Sequence, residues 1–246
     1  MCTAAIRQPE RQPLTAQRSH GALMDRVYRR QRYIYNLTRR YYLVGRDELI
    51  RGLDLRPGES AVEIGCGTAR NLIAMARRFP GAQFFGLDAS GEMLTTAAEA
   101  VGRAGFAERI VLKRGLAEEM SPALFGAGRG FDAVIFSYSL SMIPDWRRAL
   151  AVGVHALSND GRLHIVDFGD FRGLPRVISA GLGAWLRKFH VAPRAELLTA
   201  LEQAPWRPDS QLRLFPGRYA FRWRGAELPQ GVLANVARPP QAADIP

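Results

Sequence analysis

From Ser60 to Phe168 the chain alternates short apolar runs with longer amphipathic stretches. The runs Ser60–Ile64, Gln83–Leu87, Arg109–Lys113, Phe131–Phe136 and Arg162–Phe168 predict five strands. Phe131–Phe136 lacks the alternation of a half-exposed strand, as expected of a parallel strand buried on both faces. Between the runs, Ala69–Phe79, Glu92–Ala104 and Asp145–Leu157 carry apolar residues at helical spacing. Turn residues separate the elements at Arg56-Pro57-Gly58, Pro80-Gly81 and Asn159-Asp160-Gly161. This strand–helix alternation predicts a doubly wound α/β fold, a mostly parallel sheet with helices on both faces.

The flanks read differently. Residues 1–20 are polar and predict a disordered tail. Leu23–Gly52 has a helical pattern interrupted at Gly45, so residues 21–56 are expected to form a helical cover on a domain spanning 57–226. Leu174–Phe189 predicts a helix with Leu182, Trp185, Leu186 and Phe189 on its apolar side, and Pro193–Gln203 a second. Gln211–Phe215 and Tyr219–Trp223 flank Pro216-Gly217-Arg218 in the manner of a hairpin. Residues 227–246 are rich in Pro and Ala and read as a second tail.

Charge divides the chain along the same lines. The formal charge is +11. Residues 1–56 hold 12 Arg against 5 acids, residues 57–171 hold 11 basic against 13 acidic side chains, and residues 172–224 hold 10 against 3. Two basic flanks around a slightly acidic centre are expected to meet at the site mouth and to attract a polyanion, either an anionic membrane surface or nucleic acid. No apolar run approaches the ~20 residues that span a bilayer, and the first twenty lack the apolar core of a secretory signal. The 2 cysteines, Cys2 and Cys66, provide no disulfide framework, which predicts a reducing, cytoplasmic setting. The histidines are scattered, so no metal site is expected.

The candidate chemistry begins at Glu63-Ile64-Gly65-Cys66-Gly67-Thr68-Ala69-Arg70, where a strand runs through a glycine turn into a helix, with Asp88 at the end of the next strand. This is the layout of a nucleotide-type cofactor site. A dinucleotide fingerprint requires a third glycine where Arg70 stands, and Glu63 would repel a pyrophosphate at the helix N-terminus. A ligand with positive charge suits the turn better; the alternative is an ordinary turn that needs glycine for its backbone. The stretch resembles motif I of the class I S-adenosylmethionine-dependent methyltransferases, with Ala69 in place of the usual third glycine. The resemblance implies a seven-stranded Rossmann-like fold closed by an antiparallel pair, S-adenosylmethionine as cofactor, and its methionyl end near Glu63, Gly65, Cys66 and Gly67. Asp88, followed by Ala89, either accepts the ribose hydroxyls or caps the following helix. Many relatives place an Asp or Asn against the adenine after the third strand. Here Leu116 cannot accept that bond, leaving backbone at Leu116 and Ala117, or Glu118.

Ser137 and Tyr138 follow the fourth strand, on the rim where open α/β sheets bind ligands. Ser137 offers an acceptor, and Tyr138 an aromatic face for a cation or a phenol that relays a proton; the alternative is a packed loop with Tyr138 in a small core. Asp167, ending the fifth strand, either accepts a substrate proton or caps a turn. Tyr28, Arg32, Tyr35, Arg39, Tyr42 and Arg46 recur at spacings that share one helix face. Tyr35 and Arg46 are candidates at the cofactor mouth; the alternative is a structural helix whose arginines cover the acidic domain.

Met24–Asp47, containing Tyr35-Asn36-Leu37-Thr38-Arg39-Arg40-Tyr41-Tyr42-Leu43-Val44-Gly45-Arg46, resembles the opening helix of bacterial diacylglycerylhomoserine N-methyltransferases, with Asn36 where those carry an acid. Phe136–Pro144 resembles the same family. The resemblance spans about residues 22–170 and implies successive methylation of a lipid-borne amine at an anionic membrane, yielding a trimethylated betaine lipid. Methylation of RNA or another small molecule on the same fold is the alternative within enzymes. A binding module that has lost catalysis is the alternative outside them.

Overall fold

The computed structural model describes residues 43–205, 207–229 and 231–233. The expected Tyr/Arg stripe, including Tyr35, lies outside these residues except for Arg46, as do the tail at 1–20 and most of that at 227–246. The strands are β1 (Ser60–Ile64), β2 (Gln83–Asp88), β3 (Ile110–Arg114), β4 (Phe131–Ser137), β5 (Leu157–Phe168), β6 (Gln211–Leu214) and β7 (Ala220–Gly225). The helices are α1 (Arg46–Arg51), α2 (Arg70–Arg78), α3 (Gly91–Arg103), α4 (Trp146–His155), α5 (Arg176–Arg187) and α6 (Ala195–Gln203). One seven-stranded sheet runs in the order β3-β2-β1-β4-β5-β7-β6. β1 to β5 are parallel, and β7 lies antiparallel between β5 and β6.

The unalternating apolar runs now have a cause. Ala61, Phe84, Ala133 and Ile135 join a core with Leu49, Leu72, Met75 and Val101 from α1, α2 and α3. Their strand neighbours Val62, Phe85, Val134 and Phe136 join another core with Leu150, Leu197 and Leu201 from α4 and α6. Successive side chains enter opposite cores, so both must be apolar. Phe84, Phe131, Phe136 and Phe221 are wholly buried, each contributing about 1.5–3 kcal/mol by transfer from water.

One strand departs from expectation. β5 begins at Leu157, before the expected Asn159-Asp160-Gly161 turn. Phe131 pairs with Leu157 and Ala133 with Arg162, so Ser158–Gly161 bulge opposite Asp132 alone. The Asp132 carboxylate holds the bulge, accepting from Ser158 Oγ at 3.0 Å and from the Ser60 amide at 2.8 Å. The polar residues reach solvent without ending the strand.

Gly45 stands at the boundary of α1, where the helical pattern was expected to break. The helix docks on the antiparallel end of the sheet, with Glu48 paired to Arg213 at 2.7 Å and its carbonyl accepting from Arg222 at 3.1 Å. From β1 the chain fills the sheet first towards β3 and later towards β5. The crevice at that reversal lies beyond the ends of β1 and β4. Among the described residues, no helix is long and apolar enough to cross a membrane.

Candidate active site

The turn after β1 takes left-handed backbone at Gly65, Gly67 and Ala69, with φ of 77°, 54° and 60°. The amides of its two glycines and of Cys66 are already committed. Those of Gly65 and Cys66 both donate to the Leu87 carbonyl, at 2.8 and 3.0 Å, and that of Gly67 donates to Asp88 Oδ2 at 2.8 Å. A phosphate cradle requires such amides to face the ligand; here β2 uses them. The other Asp88 oxygen accepts from the Ser90 amide at 2.9 Å, and Ser90 caps α3. Asp88 therefore organises the turn and the helix start together.

Glu63 is buried beneath this turn. Asn71 donates from one amide nitrogen to Glu63 Oε1 at 2.6 Å and to Ser137 Oγ at 3.1 Å, joining β1, α2 and β4. Arg70, in the place of the third dinucleotide glycine, bonds Asp47 of α1 at 2.8 Å. This guanidinium holds the Asp47 carboxyl below the usual range. The cation nearest the turn is thus engaged by α1. Cys66 is buried, and burial followed by the charges of Asp88 and Glu63 pushes its thiol upward. A thiol kept protonated is no nucleophile.

Across the crevice, the loop after β4 is held at several points. A β-carbon on Gly65 would lie 2.6 Å from Ser139 Cβ, so loop and turn are in direct opposition. The Tyr138 hydroxyl donates to the Val44 carbonyl at 2.6 Å, and its ring meets Phe168 edge-on. Asp167 accepts from the amides of Ser141 at 3.0 Å and Phe168 at 2.8 Å. Arg194 donates to the carbonyls of Leu140 at 3.0 Å and Ile143 at 2.6 Å.

Of the two roles open to each of Tyr138 and Asp167, these contacts favour the structural one, a packed loop and a capped turn. Both side chains are buried. Burial, reinforced by Asp167, raises the phenol well above the tyrosine range. Burial pushes the Asp167 carboxyl up to about 6 against the pull of its amide donors. Their bonds run to the protein backbone, and they position the loop. Ser137 lies at the crevice, but its hydroxyl is bonded to Asn71. Arg46, half-buried at the start of α1, acts electrostatically on Tyr138.

The segment after β3 joins the same edge. The Gly115 amide donates to the Asp88 carbonyl at 3.1 Å, setting Leu116 and Ala117 beside Asp88, and Ala89 is fixed through its carbonyl by Arg114 at 3.1 Å. Glu118 sits in a short turn, Ala117–Glu119. Burial, and then the charge of Asp145 at the start of α4, raise its carboxyl. Three contributors escaped sequence reasoning: Asn71, Ser139 and Arg194. A polar residue on the inner, Leu72-bearing part of α2 was a usable signal for Asn71. Nothing local marks the other two.

The residues at the crevice fit S-adenosylmethionine. Acidic groups, Glu63 and Asp88, flank a turn whose amides at Gly65, Cys66 and Gly67 are already bonded to β2, which suits a cationic ligand without phosphate. The comparisons agree with the geometry. Residues 62–163 match the family model described as a methyltransferase domain. The demethylmenaquinone methyltransferase of Bacillus cytotoxicus is 31% identical over 119 residues, covering 48% of each chain. The chain thus spans about half the length of that relative. The demethylmenaquinone methyltransferase of Thermobifida fusca is 29% identical over 205 residues, covering 78% of this chain and 81% of that one. In fold, the chain resembles the mitomycin 7-O-methyltransferase MmcR, with a TM-score of 0.60, 20% identity, and coverage of 86% of this chain and 66% of that one. The fold is the Rossmann-like one of these methyltransferases, and residues 62–163 carry the match to a methyltransferase domain. The cofactor of that domain is S-adenosylmethionine.

Proposed function

We propose that the protein transfers methyl groups from S-adenosylmethionine to an amine in a lipid head group. The observation that carries the cofactor half is the closed turn: Gly65, Cys66 and Gly67 spend their amides on Leu87 and Asp88. When bound, S-adenosylmethionine supplies a sulfonium methyl that passes in line to a neutral nitrogen lone pair, the carbon–sulfur electrons remaining on sulfur as a thioether. In this reading Glu63 and Asp88 supply the negative field for the cofactor's cationic end and the acceptors for its ribose hydroxyls. The loop Ser137–Met142, held by Val44, Asp167 and Arg194, walls the crevice and orients the acceptor. Orientation and desolvation carry most of this reaction. No proton acceptor need come from Tyr138 or Asp167; water takes the proton of an ammonium before attack.

The amine of a diacylglycerylhomoserine-like head group is favoured by the resemblance of Met24–Asp47 and Phe136–Pro144. The basic segment 172–224 is suited to an anionic lipid surface. A second reading, transfer to a quinone ring carbon, is favoured by the long alignment with the Thermobifida fusca relative. Incubation with methyl-labelled S-adenosylmethionine and separate polar-lipid, neutral-lipid and RNA fractions distinguishes these. Label in polar lipid, base-stable and released as a quaternary amine, is the expected result. Label confined to the neutral fraction establishes the quinone reading, and label confined to RNA overturns both.

A further inference from the structure

We propose that the outward face of α5 is a docking surface for an anionic lipid bilayer. The apolar surface of the helix runs from the core out to solvent. Leu182 and Leu186 turn inward and join the core. Ile178 and Trp185 adjoin them and Val177 lies further round, and Val177, Ile178 and Trp185 are 85%, 55% and 36% exposed. At ~100° per residue, Val177, Gly181, Ala184, Trp185 and Ile178 share one stripe, which a helix serving only the fold would fill with polar residues.

Charge identifies the occupant. From Phe171 to Ala195 the chain contains no acidic residue. Arg176, Arg187 and Lys188 are exposed beside the apolar stripe. An exposed apolar stripe edged by cations, without acids, matches a membrane interface in which side chains sink among acyl chains beneath anionic head groups. Nucleic acid would use the cations but leave Val177 and Ile178 in water.

The surface is connected to the site. Phe189, just beyond α5, packs with Met142 around Met93. The Ala192 amide donates to the Ser141 carbonyl at 2.8 Å, tying this segment to the loop opposite Gly65. Seating α5 on a bilayer brings the crevice mouth to the lipid. The inference deepens the lipid reading above, but the surface is tested without reference to catalysis.

The test is co-sedimentation of the full chain with vesicles of phosphatidylcholine alone or with about 30% phosphatidylglycerol. The protein is expected to pellet with the anionic vesicles and remain largely in solution with the neutral ones. The double substitution Val177→Ser, Ile178→Ser is expected to weaken vesicle binding about tenfold or more. Arg187→Gln with Lys188→Gln is expected to weaken it and reduce its salt dependence. These side chains are solvent-exposed, and thermal unfolding checks that each variant folds. Trp185 fluorescence, taken as the difference between wild type and Trp185→Phe, is expected to shift to the blue with anionic vesicles. Equal pelleting with both vesicle types, or an unchanged serine variant, overturns the proposal. So does a stable dimer in light scattering that the serine variant dissolves, which assigns the face to a second copy, or RNA binding with no vesicle binding. Calorimetric titration with S-adenosylmethionine on the same samples separates the two readings. Lost cofactor binding with retained vesicle binding removes the proposed activity and leaves the surface, and the converse does the reverse.

Discussion

Gly65 and Ser139 meet where the turn after β1 faces the loop after β4, and a β-carbon on Gly65 would come within 2.6 Å of Ser139 Cβ. Gly65 also holds φ at 77°. Two independent constraints, backbone sign and space, therefore require glycine there. Gly58 holds φ at 86° with nothing within 4 Å of an added β-carbon, so it bears the first constraint alone. Gly58→Ala is expected to cost about 1–2 kcal/mol in urea unfolding. Gly65→Ala is expected to cost clearly more and to weaken S-adenosylmethionine binding at least ~10-fold, the equivalent of 1.4 kcal/mol. Equal costs at the two positions would show that the opposition to Ser139 carries no energy.

Tyr138 distinguishes positioning from proton transfer. Tyr138→Phe removes one hydrogen bond, to Val44, and is expected to cost about 1 kcal/mol of stability. Methyl transfer is expected to change by less than about threefold, whereas loss of a general acid or base costs about 10²–10⁴-fold. A fall of that size, with unchanged cofactor affinity, would return Tyr138 to the chemistry.

Asp88 is expected to join the fold to the cofactor. Asp88→Asn keeps the volume but replaces one acceptor oxygen with a donor, so either the Gly67 or the Ser90 amide loses its partner. A lost charge-assisted bond is worth about 1.5–3 kcal/mol, so cofactor dissociation constants are expected to rise about 10–100-fold. Titration calorimetry reads this directly, and near-normal affinity would remove Asp88 from the binding site.

Asp167 makes stability depend on pH with a defined sign. Its folded-state pKa of about 6 stands above its unfolded value of about 3.9. Between these values the folded protein holds a proton that the unfolded chain has released, so stability falls as pH rises through this window. The shift corresponds to about 3 kcal/mol at most. Urea unfolding of wild type and Asp167→Asn from below pH 4 to above pH 7 is expected to show the variant gaining relative stability over that window. A difference that stays flat or moves the other way would contradict the burial of a titrating carboxyl at this position.

Local chemistry made much of this protein legible in its sequence. The apolar runs and glycine turn placed β1, the turn after it and Asp88 within a residue or two, because strand burial and left-handed backbone depend on adjacent residues. The absence of a third glycine at Arg70 and the acid Glu63 at the turn argued for a cationic cofactor over a dinucleotide, the first by packing and the second by charge. Tertiary structure decided what the rim residues do. Tyr138 reaches Val44, Asp167 reaches Ser141, and Arg194 reaches Leu140 and Ile143. Each partner lies far along the chain, and a side chain at a strand end can face ligand or core with the same local pattern. Only the packed sheet brings those backbone groups within hydrogen-bonding range, and burial then makes satisfying them more urgent than exposing a catalytic group.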